Sequence, residues 1–426
     1  MTRVITLSKS RVAGSFFDQG IVSLGNFLTN MLLGRYLSQD DYGSFVLINN
    51  SIFLFLNSIH NSLVVYPLSV KGSVVDRAEL SKLTTNYSIF TTILAAVCSV
   101  ILLSAVIYLQ KLYIFPVATC ALVLWQIQET LRRALIAHLR YEEVIWGDGL
   151  SYLGQAGAVW FLAQMGWLSF ETTFLAIALT SAIAALVQAL QIQLKTQTLQ
   201  SLSNTITTSW SLGKWFLFGS ITATITQHST PWILAIFHDK KTTATVQALT
   251  NIVGASNPII SSTTSLMIPT IAKANQEGGM KAVKSAVIKY SLPGFILLIP
   301  FFTILVLYPK TILAFIYGST SPYVTANNTS ILLQLLVLSQ LILYVTQIPS
   351  SILAGLEKSK SAFLGQIGSI LSSLLIGIPS IVKLGDFGVI ISSISANIMR
   401  MSINSYQIFN WQKIMNKNAQ MFDNEK

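Results

Sequence analysis

The sequence predicts an all-α polytopic membrane protein: about twelve transmembrane helices in two parallel six-helix lobes around a central cavity. Three observations predict it. Apolar runs of spanning length recur along nearly all of the 426 residues. The loops between them alternate in basic content. Short motifs in the first half return at equivalent places in the second. Composition agrees: 52% of residues are apolar and only 10% charged, against roughly 25% charged in an ordinary soluble domain.

A hydrocarbon core of roughly 30 Å, crossed at ~1.5 Å per residue, needs about 20 mostly apolar residues. The first such span, 12–37, follows a basic start (Arg3, Lys9, Arg11) and carries Asp18, Gln19, Asn26 and Asn30. It is too long and too polar for a cleavable signal peptide, so it is expected to remain as a membrane helix. The second, 42–66, places Asn50, Asn57 and Asn61 at i, i+7 and i+11. Gln19, Asn26 and Asn30 have the same spacing, so each set shares one helical face. The third to sixth spans are 87–109, 114–137, 144–165 and 170–192. Cys98 and Cys120 lie in the third and fourth. Their placement fits neither a disulfide framework nor a metal site, and both read as buried small hydrophobes. Glu129, Arg132 and Arg133 near the end of the fourth read as helix-surface pairing.

The segment 195–213, rich in Ser, Thr and Gln, reads as a linker between lobes 1–200 and 201–426. The seventh span, 214–237, opens at Lys214 and puts Ser220, Thr224, Gln227 and Pro231 on one stripe with His228 beside it. The eighth, 245–271, carries Gln247, Asn251, Pro258, Ser261 and Ser265. The remaining four are 290–308, 331–353, 362–384 and 388–409. Proline can bend a helix, which makes Pro231, Pro258, Pro269, Pro293 and Pro300 candidate bending points.

With the N-terminus placed inside, twenty of the 27 basic residues fall in inner segments. Six fall outside (Arg35, Lys111, Lys240, Lys241, Lys310, Lys383) and Arg400 lies within the last span. This positive-inside bias supports an even number of spans with both termini cytoplasmic. The halves also match in sequence. Leu47, Asn49 and Pro67 recur as Leu249, Asn251 and Pro269, and Leu153-Gly-Gln155 recurs as Leu364-Gly-Gln366. Six spans per half give parallel repeats, a known transporter construction.

Polar groups in hydrocarbon are costly and mark function. Their stripes concentrate in the first two spans of each half, which are therefore expected to line a wet cavity; the alternative is interhelical hydrogen bonding alone. Arg400 falls about 18 Å from the outer end of its span at ~1.5 Å per residue, near the midplane. It attracts an anionic substrate, pairs with a coupling carboxylate, or forms a structural ion pair with Asp18 or Asp148. His60 reads as hydrogen-bonded structure. The candidate substrate-binding residues are Asp18, Gln19, Asn26, Asn50, Asn57, Lys214, Gln227, His228, Asn251 and Arg400.

The chain carries no Walker A loop, no dinucleotide fingerprint, no HExxH or zinc spacing and no GxSxG elbow. An enzyme, a resident cofactor, a bound metal and a nucleic-acid partner are therefore not expected.

Several motifs together resemble a known family: Asp18-Gln-Gly20, Asn26-Phe27, Gly34-Arg-Tyr-Leu37 and Asp41-Tyr-Gly-Ser-Phe45 in the first half. In the second half, Ile312-Leu-Ala-Phe-Ile-Tyr-Gly318, Tyr323-x-x-Ala326, Leu353-Ala-Gly-Leu-Glu-Lys358 and Gly385-Asp-Phe-Gly388 continue it. The chain resembles the Wzx-type polysaccharide flippases of the multidrug/oligosaccharidyl-lipid/polysaccharide exporter superfamily. The resemblance implies two six-helix lobes forming a V, with spans 1, 2, 7 and 8 facing the cleft. It implies alternating-access transfer of undecaprenyl-pyrophosphate-linked oligosaccharide to the periplasmic face of the inner membrane, for O-antigen, capsule or exopolysaccharide. Partners implied are the lipid-linked oligosaccharide, membrane lipids and the polysaccharide polymerase machinery. Arg400, Lys214 and Arg35 are the candidates for a pyrophosphate. An ion-coupled exporter of drugs or small solutes with the same two-lobe fold is the competing expectation. A major-facilitator transporter lacks support in the 67–82 segment, and a membrane polymerase or ligase lacks its large outer loop.

Overall fold

A computed structural model describes residues 2–72, 75–195, 199–326, 328–356 and 358–424. Among these residues the chain is helical throughout its ordered elements and has no strand. All twelve expected spans fall on helix, the seventh interrupted at Ser229 and the eighth at Ala255 and Ser256. Among the described residues, seven helices are long and apolar enough, by length and composition, to cross a membrane: Gln39–Gly72, Arg77–Tyr108, Leu112–Ala137, Phe170–Ile192, Thr270–Leu307, Thr329–Gly355 and Ser361–Leu384. The other helices lie at the first, fifth, seventh, eighth and twelfth expected spans. Three of those are the polar-striped ones, so the polarity that marks them also lowers their hydropathy.

The chain divides into two compact units, Met1–Trp232 and Ile233–Lys426. In unit 1, α1 is Thr2–Tyr36, α2 is Gln39–Gly72, α3 is Arg77–Tyr108 and α4 is Phe115–Ala137. Helix α5 covers 141–164 in three joined pieces, α6 is Phe170–Ile192 and α7 is Leu199–His228. Polar residues start several of these helices, because the first backbone N–H groups need acceptors. Ser38 caps α2 through the Asp41 N–H, Asp76 caps α3 through the Glu79 N–H, and Ser169 forms a capping box with Thr172. Helix α4 packs against α3 and α6, and α1 lies along α5.

The segment expected to be a linker, 195–213, is a correction. From Leu199 onward it is helix, continuous with the seventh span. The reason is packing: Leu202, Leu217 and Ile221 of α7 join Leu63, Leu68, Tyr87, Leu131 and Leu135 in one apolar core. A helix with such a face gains more from burial than its Ser and Thr content costs in helix propensity.

Helix α8 is Thr230–Phe237. Unit 2 then comprises α9 (Lys240–Gly254), α10 (Asn257–Leu307), the short helices α11 (Pro309–Tyr317) and α12 (Pro322–Thr325), α13 (Thr329–Gly355), α14 (359–384) and α15 (Asp386–Asn424). The expected bending at prolines takes a different form. Pro231 and Pro258 stand in the opening turns of α8 and α10, where the missing N–H is harmless. Within α10 the non-helical residues are Gly278 and Gly279, the latter at φ 56°, a conformation that glycine adopts without a Cβ clash. That break separates the eighth and ninth spans.

Helices α14 and α15 approach closely. A Cβ added at Gly365 would meet Asn404, one at Gly368 would meet Ile403, and one at Gly388 would meet the Ser380 carbonyl. Small residues let membrane helices pack by van der Waals contact where lipid removes the hydrophobic driving force. The same physics corrects the cysteine expectation: Cys120 is exposed and Cys98 only half-buried. On a surface solvated by lipid, a small apolar side chain has no reason to point inward.

Candidate functional site

In unit 1 the polar residues of α1 and α2 form a connected chain. Asn30 Nδ2 donates to the Asn26 carbonyl at 2.9 Å, Asn50 Nδ2 to Asn30 Oδ1 at 3.3 Å, and Asn49 Nδ2 to Asn50 Oδ1 at 2.9 Å. Gln19 and Asn26 are exposed. Asn57 is half-buried, and its Oδ1 has no hydrogen-bond partner among the described residues. Wider π-helical turns lie at Ile48–Phe53, which carries Asn49 and Asn50, and at Asn61–Val65 of α2. Such turns release backbone groups and are frequent at functional sites.

Asp18 belongs to a different arrangement, which overturns two expectations. Arg132 of α4 is 3% exposed, so it does not take part in surface pairing. Its Nη2 lies 2.7 Å from Asp18 Oδ2 and its Nε 2.5 Å from Asp148 Oδ2 of α5. Its Nη1 reaches Glu129 at 3.4 Å, and Arg133 Nε reaches Glu129 Oε1 at 2.6 Å. Gln128 adds a donor to Asp148 at 3.3 Å. A planar guanidinium with five fixed donors can bind several carboxylates at once. Asp18 and Asp148 are therefore occupied by Arg132 and are not the counter-ions of Arg400. The available sequence signal was electrostatic: two intramembrane carboxylates need a cation at similar depth, and Arg132 is the one on the adjoining span. Near it, His60 is fully buried, with Nε2 2.9 Å from Thr130 Oγ1 and 3.4 Å from Thr91 Oγ1.

In unit 2, Gln247 Nε2 donates to Asn251 Oδ1 at 2.8 Å along α9. On α15, Ser393, Asn397, Arg400 and Asn404 stand at i, i+4, i+7 and i+11 of one face. Opposite, α13 presents Ser339, Thr346 and Ser350. Ser339 Oγ bonds Ser393 Oγ at 2.9 Å, Thr346 Oγ1 donates to the Asn397 carbonyl at 3.3 Å, and Asn404 Nδ2 donates to Ser350 Oγ at 3.0 Å. Amid this seam, Arg400 Nε and Nη2 are buried with no hydrogen-bond partner among the described residues. The seam was missed in the sequence although its spacing was readable. Lys214 is half-buried at the middle of α7, and the side chains of Gln227 and His228 lie outside the described residues. Among the described residues there is no cluster of His, Cys, Asp and Glu suited to a metal ion.

No protein-family model matches the chain, and no curated protein matches it in sequence. Solved structures do. An inward-facing multidrug-resistance MATE family transporter of the MOP superfamily aligns with a TM-score of 0.74 at 12% identity, over 92% of this chain and 95% of that one. The lipid II flippase MurJ, in an inward closed conformation, aligns at 0.70 and 14% identity, over 93% and 87%. A eukaryotic MATE transporter aligns at 0.62 and 13%, over 97% and 99%. The chain has the fold shared by these multi-pass membrane transporters and flippases.

Proposed function

We propose that this chain is a flippase. It carries undecaprenyl-pyrophosphate-linked oligosaccharide units from the cytoplasmic to the periplasmic leaflet by alternating access, for surface polysaccharide biosynthesis. It works in the bacterial inner membrane with both termini cytoplasmic, alongside the polymerase machinery that consumes its product. The observation that carries this reading is Arg400, a permanently charged guanidinium whose Nε and Nη2 are buried with no hydrogen-bond partner among the described residues. Such a group calls for an anion from elsewhere, and a pyrophosphate is one. The carboxamides at Asn26, Asn50, Asn57 and Asn251, with Gln19 and Gln227, suit the hydroxyls of a glycan. Lys214 and His228 supplement the charge, and Asp18 acts through Arg132. The two lobes are assigned to 1–200 and 201–426, and no covalent step is required.

The second reading, an ion-coupled exporter of drugs or small solutes, is favoured by the likeness to MATE transporters. Deleting the protein separates the two. The flippase reading expects loss of surface glycan, with lipid-linked intermediates held at the cytoplasmic face. Unchanged surface glycan in a strain without a redundant flippase, together with altered drug susceptibility, would overturn it in favour of the exporter.

A further inference from the structure

Unit 2 contains a groove that the transport reading does not use. After the break at Gly278–Gly279, α10 resumes as an amphipathic stretch, 280–290. Met280, Val283, Val287 and Tyr290 pack inward with Met267, Ile271 and Leu356. Val283, Val287 and the exposed Ile288 line one wall of a cavity of about 310 Å³, with Ile352 and Ile408 opposite and Lys284 at the rim. That volume is at the lower end of the roughly 300–1,000 Å³ typical of ligand clefts. The groove is apolar inside, with Lys284 at its rim and further lysines on the neighbouring surface. Lys281, Lys284 and Lys289 are exposed on the same stretch of α10, and Lys413 is exposed next to the groove residue Gln412. Lys358 lies over the Trp411 ring, 5.9 Å from its centroid. Glu277, the described carboxylate nearest in sequence to this stretch, pairs with Lys273 at 3.7 Å.

The geometry points to a bound phospholipid with an anionic headgroup: one acyl chain in the groove and its phosphate on Lys281 and Lys284. An amphipathic helix bordering a span lies at the depth of the headgroups. Basic pockets between membrane helices attract anionic lipid, each lysine adding to the preference. The apolar wall alone would hold any acyl chain, so the lysines set the selectivity. The groove is too small for a whole long polyprenyl tail, which favours a resident phospholipid over the transported lipid. The inference does not depend on what the protein transports.

Trp411 packs beside the groove and can report on it. The full-length chain is reconstituted in phosphatidylcholine vesicles. Phosphatidylglycerol or phosphatidylcholine with brominated acyl chains is then titrated in. The Trp411 signal is the fluorescence difference between wild type and Trp411→Phe. Brominated phosphatidylglycerol should quench it at a mole fraction on the order of tenfold lower than brominated phosphatidylcholine. The double variant Lys281→Gln/Lys284→Gln should bring the two titrations together, while Lys281→Arg/Lys284→Arg should keep them apart. Equal quenching of wild type by both lipids, or a preference that survives the glutamine double variant, overturns the proposal. Displacement of the brominated lipid by undecaprenyl phosphate at a lower mole fraction than by unlabelled phosphatidylglycerol also overturns it, because the groove would then belong to the carried lipid.

Discussion

Arg132 in unit 1 and Arg400 in unit 2 are both arginines within helical packing, and they differ in what surrounds them. Arg132 is enclosed by three carboxylates drawn from α1, α4 and α5. Arg400 sits in a seam of hydroxyls and carboxamides that bond one another, and its Nε and Nη2 have no partner among the described residues. The first arrangement spends its charge inside the protein, tying three helices together. The second leaves charge available. A buried ion pair adds little net stability over an apolar core, yet removing one partner is expensive. On the reading proposed above, the contrast separates a residue that holds structure from one whose charge a ligand can use.

The largest expected effect breaks the Arg132 cluster. Arg132→Gln leaves Asp18 and Asp148 buried without a cation and should destabilise unit 1 by about 3–5 kcal/mol, read as a lowered unfolding midpoint in detergent. If the midpoint holds within error, the cluster is not what joins α1, α4 and α5. Arg400→Gln should do the reverse. Its unfolding midpoint should stay level or rise, because two of the lost nitrogens were buried with no partner among the described residues. Transport should fall on the order of tenfold to a hundredfold, since a hydrogen bond to a charged group is worth about 1.5–3 kcal/mol. Lipid-linked intermediates accumulating at the inner face would report it. A stable variant with undiminished transport removes Arg400 from the substrate path.

A third test concerns how closely α1 is held to α5 beside the cluster. A Cβ at Gly25 would stand 2.6 Å from the Tyr152 carbonyl carbon, whereas one at Gly20 meets nothing within 4 Å. Gly25→Ala should cost about 1–3 kcal/mol by overpacking. Gly20→Ala, on the same helix, should be neutral or stabilise by up to about 1 kcal/mol through helix propensity. Comparing the two midpoints isolates the contact from the substitution.

How legible this was follows from which interactions are local. The spans were readable because hydrocarbon demands long apolar runs, and Phe170–Ile192 coincides with its expected bounds. The stripes of Gln19, Asn26 and Asn30 on the first span and of Asn50, Asn57 and Asn61 on the second were readable because helical periodicity is local. The partner of Asp18 was not, because Arg132 is 114 residues away and its spacing to Glu129 and Arg133 imitates ordinary surface pairing. Spacing along one helix says which residues share a face, not what that face meets. The helix at 199–213 was hidden for a related reason, since its Ser and Thr content looks like a linker until Leu202 and Leu217 find the unit 1 core. The break in α10 did have a local signal, the Gly278-Gly279 pair, which outranked the prolines nearby.

The smallest expected effect lies at the membrane edge, where a charge is neither enclosed nor idle. Lys111 Nζ is 2.5 Å from Asp41 Oδ1 and 3.5 Å from Asp40 Oδ2, both in the first turn of α2. It also lies 4.5 Å from the centroid of the Phe170 ring. Burial pulls the ammonium's pKa down, but the hydrogen bond and charge of Asp41, with Asp40, outweigh it and hold it above the ordinary lysine range. A raised folded-state pKa means the stabilisation is complete below about pH 10.4, the unfolded lysine value, and fades as pH climbs through the folded one. The carboxylates are partly exposed, so the contribution should be about 1 kcal/mol or less. Lys111→Gln should lower the unfolding midpoint slightly at neutral pH. It should also flatten the alkaline decline that wild type shows above about pH 10.4. An identical alkaline decline in the variant would assign that limb to another group and leave Lys111 as an anchor through its ring contact alone.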